Sequence, residues 1–487
     1  MTAARAHHLL IALILLLAVV LRVTAFSPYA IHHPDEALQY LEQAHRLATG
    51  TGLVPWEYRL GMRSWFVPLL LAGPMWLGEA IAPGSLLYVI LARLTAAIFA
   101  FAAIVAAYWI GRRISPAHGL MAMFVAAIWY ESVYFSVHVL TEVLSAAAFL
   151  AAAAVLIPKA SRDRLVAGGA LLALSAILRF HYAPAIAAFV LISFGFRWRD
   201  WLWLALGGVG VALVSGAVDM AMGQWPFAWV YQNFHQNVIA DKASEFGRLG
   251  AEAYGQMLWL HWSVAIVPIL WLAALAARRF PALMAAALVN LVVHLAIGHK
   301  EYRFIFLTVE IVVLLAAIGS VDLVDKLRRD LGSRAPSREL MMVGAVGLWV
   351  LASGILAFSD LSNPGWRRFE GGFRLARQAA EHRACGVALM GDNYWATGGH
   401  LYLGNLPLHY IFPADAAMES NEIAGTRHAY DAIIAPENRT VPQGFARIDC
   451  QGRGREHLCL AVRSGDCQSD GVSGTRLLQR VMEAHGR

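Results

Sequence analysis

The chain has 487 residues, 59% of them hydrophobic and 15% charged, with a formal net charge of +6. Repeated apolar runs of roughly 17 to 25 residues are long enough to cross a hydrocarbon core of roughly 30 Å, which excludes a soluble globular protein and predicts an all-α polytopic membrane protein. The positive excess lies mostly in short loops between those runs, so it reads as membrane topology and argues against a nucleic-acid partner.

In chain order, the first run, Leu9 to Phe26, follows Arg5, His7 and His8 and is succeeded at once by charged residues rather than by a small-residue cleavage site. It therefore reads as a retained first helix, not a signal peptide. With it, at 9–27, helices are predicted at 86–111, 117–136, 139–157, 165–180, 182–197, 201–219, 257–277, 281–298, 303–321 and 340–358. That makes about eleven spans. If the start is cytoplasmic, Arg112-Arg113, Lys159 to Arg164, Arg197 to Arg199, Arg278-Arg279 and Lys326 to Arg338 all fall on the cytoplasmic side, as the positive-inside rule requires. Residues 64–80 are apolar but interrupted by Pro68, Gly73 and Pro74; a full crossing there would reverse every later loop, so they are expected to lie at the outer interface.

This topology leaves two long outer loops, 28–85 and 220–256, within a membrane domain of residues 1–358. In the first, Leu38, Leu41, Ala44 and Leu47 pattern an amphipathic helix over Asp35 to Thr49. Residues 359–487 turn soluble and alternate short apolar runs with turns, predicting a small extracytoplasmic α/β domain. It holds all four cysteines, Cys385, Cys450, Cys459 and Cys467. Cys450 with Cys459, across the Gly452-Arg453-Gly454 turn, is the preferred pair among three connectivities, with four free thiols as the alternative. No metal-binding Cys/His spacing and no Walker or Rossmann glycine pattern is present, so neither metal nor cofactor is expected.

Two charged clusters stand at ends of apolar runs: His32-His33-Pro34-Asp35-Glu36 and His299-Lys300-Glu301-Tyr302-Arg303-Phe304. Ionisable groups there are costly without a role. The bland account of the first is a proline and acids opening a helix; the functional one is a carboxylate serving as general base, with Asp35 as candidate. For the second, snorkelling cations compete with a phosphate clamp, in which Lys300 and Arg303 share a helical face if the turn continues. Glu301 has two possible partners, Arg303 and Arg63.

The segment His33-Pro34-Asp35-Glu36, Gln39, Glu42, Trp56-Glu57-Tyr58 and Arg63-Ser64 resembles the first lumenal loop of family 22 glycosyltransferases. These are the GPI-anchor and N-glycan mannosyltransferases of the GT-C superfamily. Asp219 with Gly223 to Phe227 and Asn233-Phe234 is similar to that family's outer-loop signature, and His299-Lys300-Glu301 with Arg303-Phe304 to its HKExRF motif. Gly399 to Tyr402 with Asn405 and Pro407 resembles its C-terminal segment more faintly.

The resemblance implies inverting transfer of mannose from a polyprenyl-phosphate donor to a hydroxyl of a glycan or glycolipid acceptor at the outer membrane face. Such chemistry needs one base, since a phosphate leaving group needs little protonation. Asp35, Glu36 and Glu142 are the catalytic candidates; Arg63, His299, Lys300 and Arg303 the candidates for the donor phosphate. Asn233, Asn237 and Trp225 are candidate acceptor or sugar contacts, although the aromatic set around Trp225 is better read as an interfacial anchor. His138 to Glu142 departs from the family pattern and retains little beyond Glu142. Compact loops and an Ala-rich composition fit a bacterial inner membrane with a periplasmic outer face, or the ER lumen in a eukaryote. The competing classes are the same fold with another polyprenyl-phosphate sugar, a transporter of an anionic lipid or solute, which predicts ionisable residues deep in the spans and repeat symmetry, and a scaffold with an exported tail.

Overall fold

Apolar runs become helices here because a backbone in lipid must satisfy its own hydrogen bonds. The computed structural model describes residues 3–157, 161–359, 365–391, 395, 397–411, 423–464, 467–468, 476, 478–479 and 483. Lys159 of the second basic loop and Asp360 of the domain boundary lie outside the described residues. Helices cover Ala3–Ala25, Leu87–Arg112, Pro116–Ile128, Thr141–Leu156, Arg162–Leu178, Ala183–Phe194, Trp198–Ala221, Pro281–Leu295, Phe306–Leu331 and Arg338–Phe358. The run predicted at 257–277 is two helices, Ala253–Trp262 and Ile266–Ala277, broken where Ser263 takes φ 47°. Likewise 117–136 breaks at Trp129, after which Tyr130–Phe135 is a separate short helix. Among the described residues six helices are long and apolar enough to cross a membrane, and the other apolar helices are shorter. Phe66–Ile81, expected at the interface, is a helix of 16 residues.

The chain divides into two compact units that do not follow a single cut. The first comprises Met1–Phe26, Leu94–Phe227 and Phe234–Pro364. Lipid tails are as apolar as leucine, so helices there associate through close packing and polar contacts. Gly169 and Gly207 serve that end: a Cβ on Gly169 would run into the Leu204 carbonyl oxygen, and one on Gly207 into that of Val166. The missing side chains let Arg162–Leu178 and Trp198–Ala221 approach backbone to backbone. Phe306–Leu331 is buried along nearly all its apolar length. Arg338–Phe358 is tied in by Trp349 Nε1 donating to Ser320 Oγ at 2.9 Å and Ser353 Oγ donating to the Ile128 carbonyl at 2.8 Å.

The second unit comprises Ser27–Arg93, Ala228–Asn233 and Gly365–Arg487. Its sheet holds β1 (Val387–Met390), β2 (Leu408–Ile411), β3 (Ala432–Pro436), β4 (Ala446–Gln451) and β5 (Leu458–Val462) in the order β2-β1-β3-β5-β4. β1 pairs parallel with β2 and β3, while β5 runs antiparallel to β3 and β4. The parallel strands are buried almost throughout, as strands covered on both faces should be. Helix Glu370–Glu381 packs against β3, β4 and β5. Cys450 and Cys459 sit opposite each other on β4 and β5 and are disulfide-bonded, the pair preferred from sequence; Cys385 and Cys467 form the other bridge.

The outer segment expected to be one amphipathic helix differs. Glu36–Leu41 is a π-helical turn with all six residues buried, and Glu42–Thr49 continues it as an α-helix. Its polar side is buried too, because Glu42 accepts backbone N–H bonds from Leu53 at 2.7 Å, His400 at 2.9 Å and Leu401 at 2.8 Å. The Glu42 carboxyl there takes up the first N–H groups of the short helix His400–Leu403, although burial pushes its pKa up to about 7 against those hydrogen bonds.

Candidate active site

In the second unit, the π turn opens at Asp35. Gln39, one turn on, donates from Nε2 to Asp35 Oδ1 at 2.9 Å and to Glu57 Oε1 at 2.7 Å, so one amide spans two acids. Burial pushes the Glu57 carboxyl up to about 7, with the Asp35 charge adding to the rise and the Arg63 charge opposing it. Arg63 is the cation facing both: burial alone would lower its pKa, but the charges of Tyr40, Asp35, Glu57 and Tyr58 hold it above its ordinary value. Its Nε is shielded from solvent and has no hydrogen-bond partner among the described residues.

Glu36 has a different setting from its neighbour. It is fully buried, with Oε2 accepting the His32 N–H at 2.8 Å and Oε1 facing Arg93 Nη2 at 3.2 Å. Arg93 also donates to the Ser27 carbonyl at 2.5 Å and the Ala30 carbonyl at 2.6 Å, so this pair pins the chain entering the loop. Asp35 keeps 20% of its side-chain surface open. Among the acids between 35 and 57, Glu36, Glu42 and Glu57 are buried and Asp35 is accessible. Asn233 is buried in the same unit, its Nδ2 3.5 Å from the Met62 carbonyl beside Arg63.

In the first unit, charges alternate along a row. Glu142, in the first turn of Thr141–Leu156, receives Arg179 Nη1 at 2.9 Å and Arg303 Nη1 at 3.3 Å on the same oxygen, Oε1. Arg303 Nε lies 2.6 Å from Glu301 Oε2, and Glu301 Oε1 lies 2.9 Å from His299 Nε2. The sequence left Glu301 with two possible partners; Arg303 is the one it takes. Its hydrogen bond to Glu301 raises the His299 imidazole above its ordinary pKa. The Phe304 ring stands between two cations, 4.8 Å from Arg179 Cζ and 5.2 Å from that of Arg303.

Lys300 and Arg303 do not share a helical face as expected. The turn does not continue, because Glu301 is extended (φ −131°, ψ 145°) and a short 3₁₀ turn starts only at Tyr302. Lys300 is buried, its Nζ donating to the Ile297 carbonyl. Asn237 is partly buried in the turn His235–Ile239, and Trp225 is 85% exposed.

Three residues escaped the sequence reading. Arg93 interrupts the apolar run 86–111, Arg179 ends that at 165–180, and Glu131 lies within 117–136. An ionisable residue inside or at the end of an apolar run was the available signal. Glu131 is buried in an aromatic cage, its Oε2 accepting from Trp129 Nε1 at 2.9 Å and Trp262 Nε1 at 2.8 Å and its Oε1 from the Tyr302 hydroxyl. Tyr302 stacks on His261 with centroids 3.8 Å apart. The cage thus fixes the residue between Glu301 and Arg303. Among the described residues no group of three His, Cys, Asp or Glu side chains is set to hold a metal ion.

A helical membrane body in a chain that also carries a small α/β domain has the fold of a GT-C protein. The profile of the Alg9-like mannosyltransferase family matches residues 12–360, and the chain belongs to that family. A curated relative, GPI mannosyltransferase 3 of Yarrowia lipolytica, is 29% identical over 324 residues, covering 63% of this chain and 61% of the relative. GPI mannosyltransferase 3 of Drosophila melanogaster is 42% identical over 64 residues, 13% of this chain and 11% of the relative. The chain therefore matches less than two thirds of the length of either. Among solved structures, ArnT from Cupriavidus metallidurans bound to undecaprenyl phosphate has a TM-score of 0.63 at 13% identity, covering 95% of this chain and 99% of that one. Its apo state gives 0.60 at 14% identity, covering 94% and 98%. These two likenesses carry the fold alone.

Proposed function

We propose that the protein is an inverting glycosyltransferase that moves mannose from a polyprenyl-phosphate-mannose donor to a hydroxyl of a glycan or glycolipid acceptor at the outer face of the membrane. Asp35 takes the acceptor proton as the hydroxyl oxygen forms its bond to the anomeric carbon. The bond from that carbon to the phosphate oxygen breaks, and its electron pair leaves with polyprenyl phosphate. Arg63, His299, Lys300 and Arg303 are assigned to the phosphate, whose charge grows as the bond breaks and is best met by fixed cations and donors. Glu142 orients Arg303 through their ion pair, and Glu36 holds the turn that presents Asp35. Asn233 and Asn237 are assigned to sugar hydroxyls, and Trp225 to the interface.

The observation that carries this reading is the contrast among neighbouring acids. Asp35 is solvent-accessible and held by Gln39, while Glu36, Glu42 and Glu57 are buried. A base must be reachable by its proton. Family membership supports the sugar, and the undecaprenyl phosphate bound to the ArnT structure supports the lipid carrier. The loop charges fit a site on the non-cytoplasmic face, and compact loops with an Ala-rich composition fit a bacterial inner membrane, the same face being the ER lumen in a eukaryote. The test is incubation of the purified full chain with radiolabelled polyprenyl-phosphate-mannose and candidate glycolipid acceptors. Label in the acceptor with inverted linkage supports the reading; donor left intact with every acceptor, by folded protein, counts against it.

A further inference from the structure

We propose that the first unit carries a second binding site, for an acidic phospholipid, at the end of its helices remote from the Glu142–Arg179–Arg303 row. A cavity of about 510 Å³ opens there, within the size range of small-molecule sites. Thr141–Leu156 has Glu142 in its first turn and reaches the cavity at Leu156, so the two places are about one helix length, roughly 20 Å, apart. The cavity is not an annexe of the row.

Its lining mixes apolar side chains, Ile157, Phe194 and Phe280 among them, with polar ones, and the charged groups are Arg197, Asp200 and Arg279. Both arginines are largely in the open, at 64% and 50%. Arg197 uses Nε on Asp200 at 3.0 Å, and Arg279 uses Nη2 on Asp322 at 2.9 Å. A guanidinium has five N–H donors, so each pair leaves capacity for phosphate oxygens. The stretches 161–164, 197–200 and 278–280 contain two arginines each, six in all, against Asp163, Asp200 and the Asp322 that pairs with Arg279. That balance favours an anion.

Helix length supplies an independent argument. Thr141–Leu156, Phe180–Phe194 and Pro281–Leu295, which all border the cavity, have 16, 15 and 15 residues. At 1.5 Å per residue they rise about 22 to 24 Å, short of a hydrocarbon core of roughly 30 Å. The bilayer must thin or bend toward such short ends. A recessed headgroup beside the arginines with its tails along Ile157, Phe194 and Phe280 meets that shortfall, and these apolar side chains next to two arginines suit a lipid better than a soluble phosphate.

The purified full chain is offered equal amounts of phosphatidylglycerol and phosphatidylcholine, and bound lipid is read by native mass spectrometry. The proposal expects phosphatidylglycerol retained over phosphatidylcholine by roughly tenfold or more, from two cation contacts. Arg197→Ala with Arg279→Ala should abolish the preference. Ser193→Trp, which fills the cavity from its wall with both charges intact, should lower retention of the acidic lipid by a similar factor. Equal retention of the two lipids by the unaltered protein, or persistence of the preference in either variant, overturns the proposal. Neither outcome depends on glycosyl transfer.

Discussion

Glu142 and Arg179 form a buried ion pair of 2.9 Å in which the carboxylate oxygen that meets Arg179 also meets Arg303. One acid thus anchors two cations at the end of the helical body. A buried charge that loses its partner is expensive, whereas an intact pair contributes little net stability. Glu142→Gln, which takes the carboxylate from Arg179 and leaves Arg303 to Glu301, should destabilise the protein by about 3–5 kcal/mol. Arg179→Met should cost less, because Arg303 still compensates Glu142. Thermal unfolding of the two single variants and the double variant would show strong coupling, with the double variant more stable than the sum of the singles predicts.

The aromatic cage gives a second prediction. Glu131 accepts from Trp129, Trp262 and Tyr302, and hydrogen bonds to a charged acceptor contribute about 1.5–3 kcal/mol each. Glu131→Gln keeps the shape and leaves an oxygen for the two indoles, but it removes the charge that strengthens all three bonds and turns an NH2 toward the Tyr302 hydroxyl, which must then accept. We expect a loss of at least about 2 kcal/mol, with quenching of tryptophan fluorescence altered at Trp129 and Trp262. Fluorescence-detected unfolding reads both.

For His299 the sign of the pH dependence is fixed by its partner. Hydrogen bonding to Glu301 raises its pKa in the folded state. The stability it contributes is therefore fully present below the ordinary imidazole value of about 6.5 and is lost as pH rises through the higher folded value. The stability difference between the unaltered protein and His299→Gln should shrink as pH rises above the ordinary imidazole value. A difference that grows with pH would show that the pair is not ionic.

The two disulfides close loops of very different length, with sequence separations of 82 for Cys385–Cys467 and 9 for Cys450–Cys459. On the chain-entropy account, opening the first costs about 4.5 kcal/mol and opening the second about 2.6 kcal/mol. Cys385→Ser should thus lower the unfolding midpoint more than Cys450→Ser. Thiol labelling of the denatured, unreduced protein should find no reactive cysteine.

Helix positions were legible because length and apolarity nearly determine them in a membrane. The HKEYRF cluster and the Asp35 loop announced themselves by charge. What the sequence concealed was partnership: Arg179 and Glu142, or Glu42 and the backbone of His400 and Leu401, are separated by tens to hundreds of positions, and no local pattern encodes such contacts. Local geometry misled in one place. A shared face for Lys300 and Arg303 presumed helical backbone, which Glu301 breaks by adopting an extended conformation so that its carboxylate reaches both His299 and Arg303. The amphipathic pattern at 35–49 was real on its apolar side, but its polar side turned inward because buried N–H groups required an acceptor.

Asp35 is the proposed base, and single-turnover transfer by Asp35→Asn measures its role directly. Asparagine keeps the acceptor oxygen for the Gln39 amide but cannot take a proton at neutral pH. Thermal stability and donor affinity should be unchanged and the chemical step slowed by about 10²–10⁴-fold, the usual contribution of a positioned base. A variant that folds, binds donor and transfers mannose at a rate close to the unaltered protein would contradict that role.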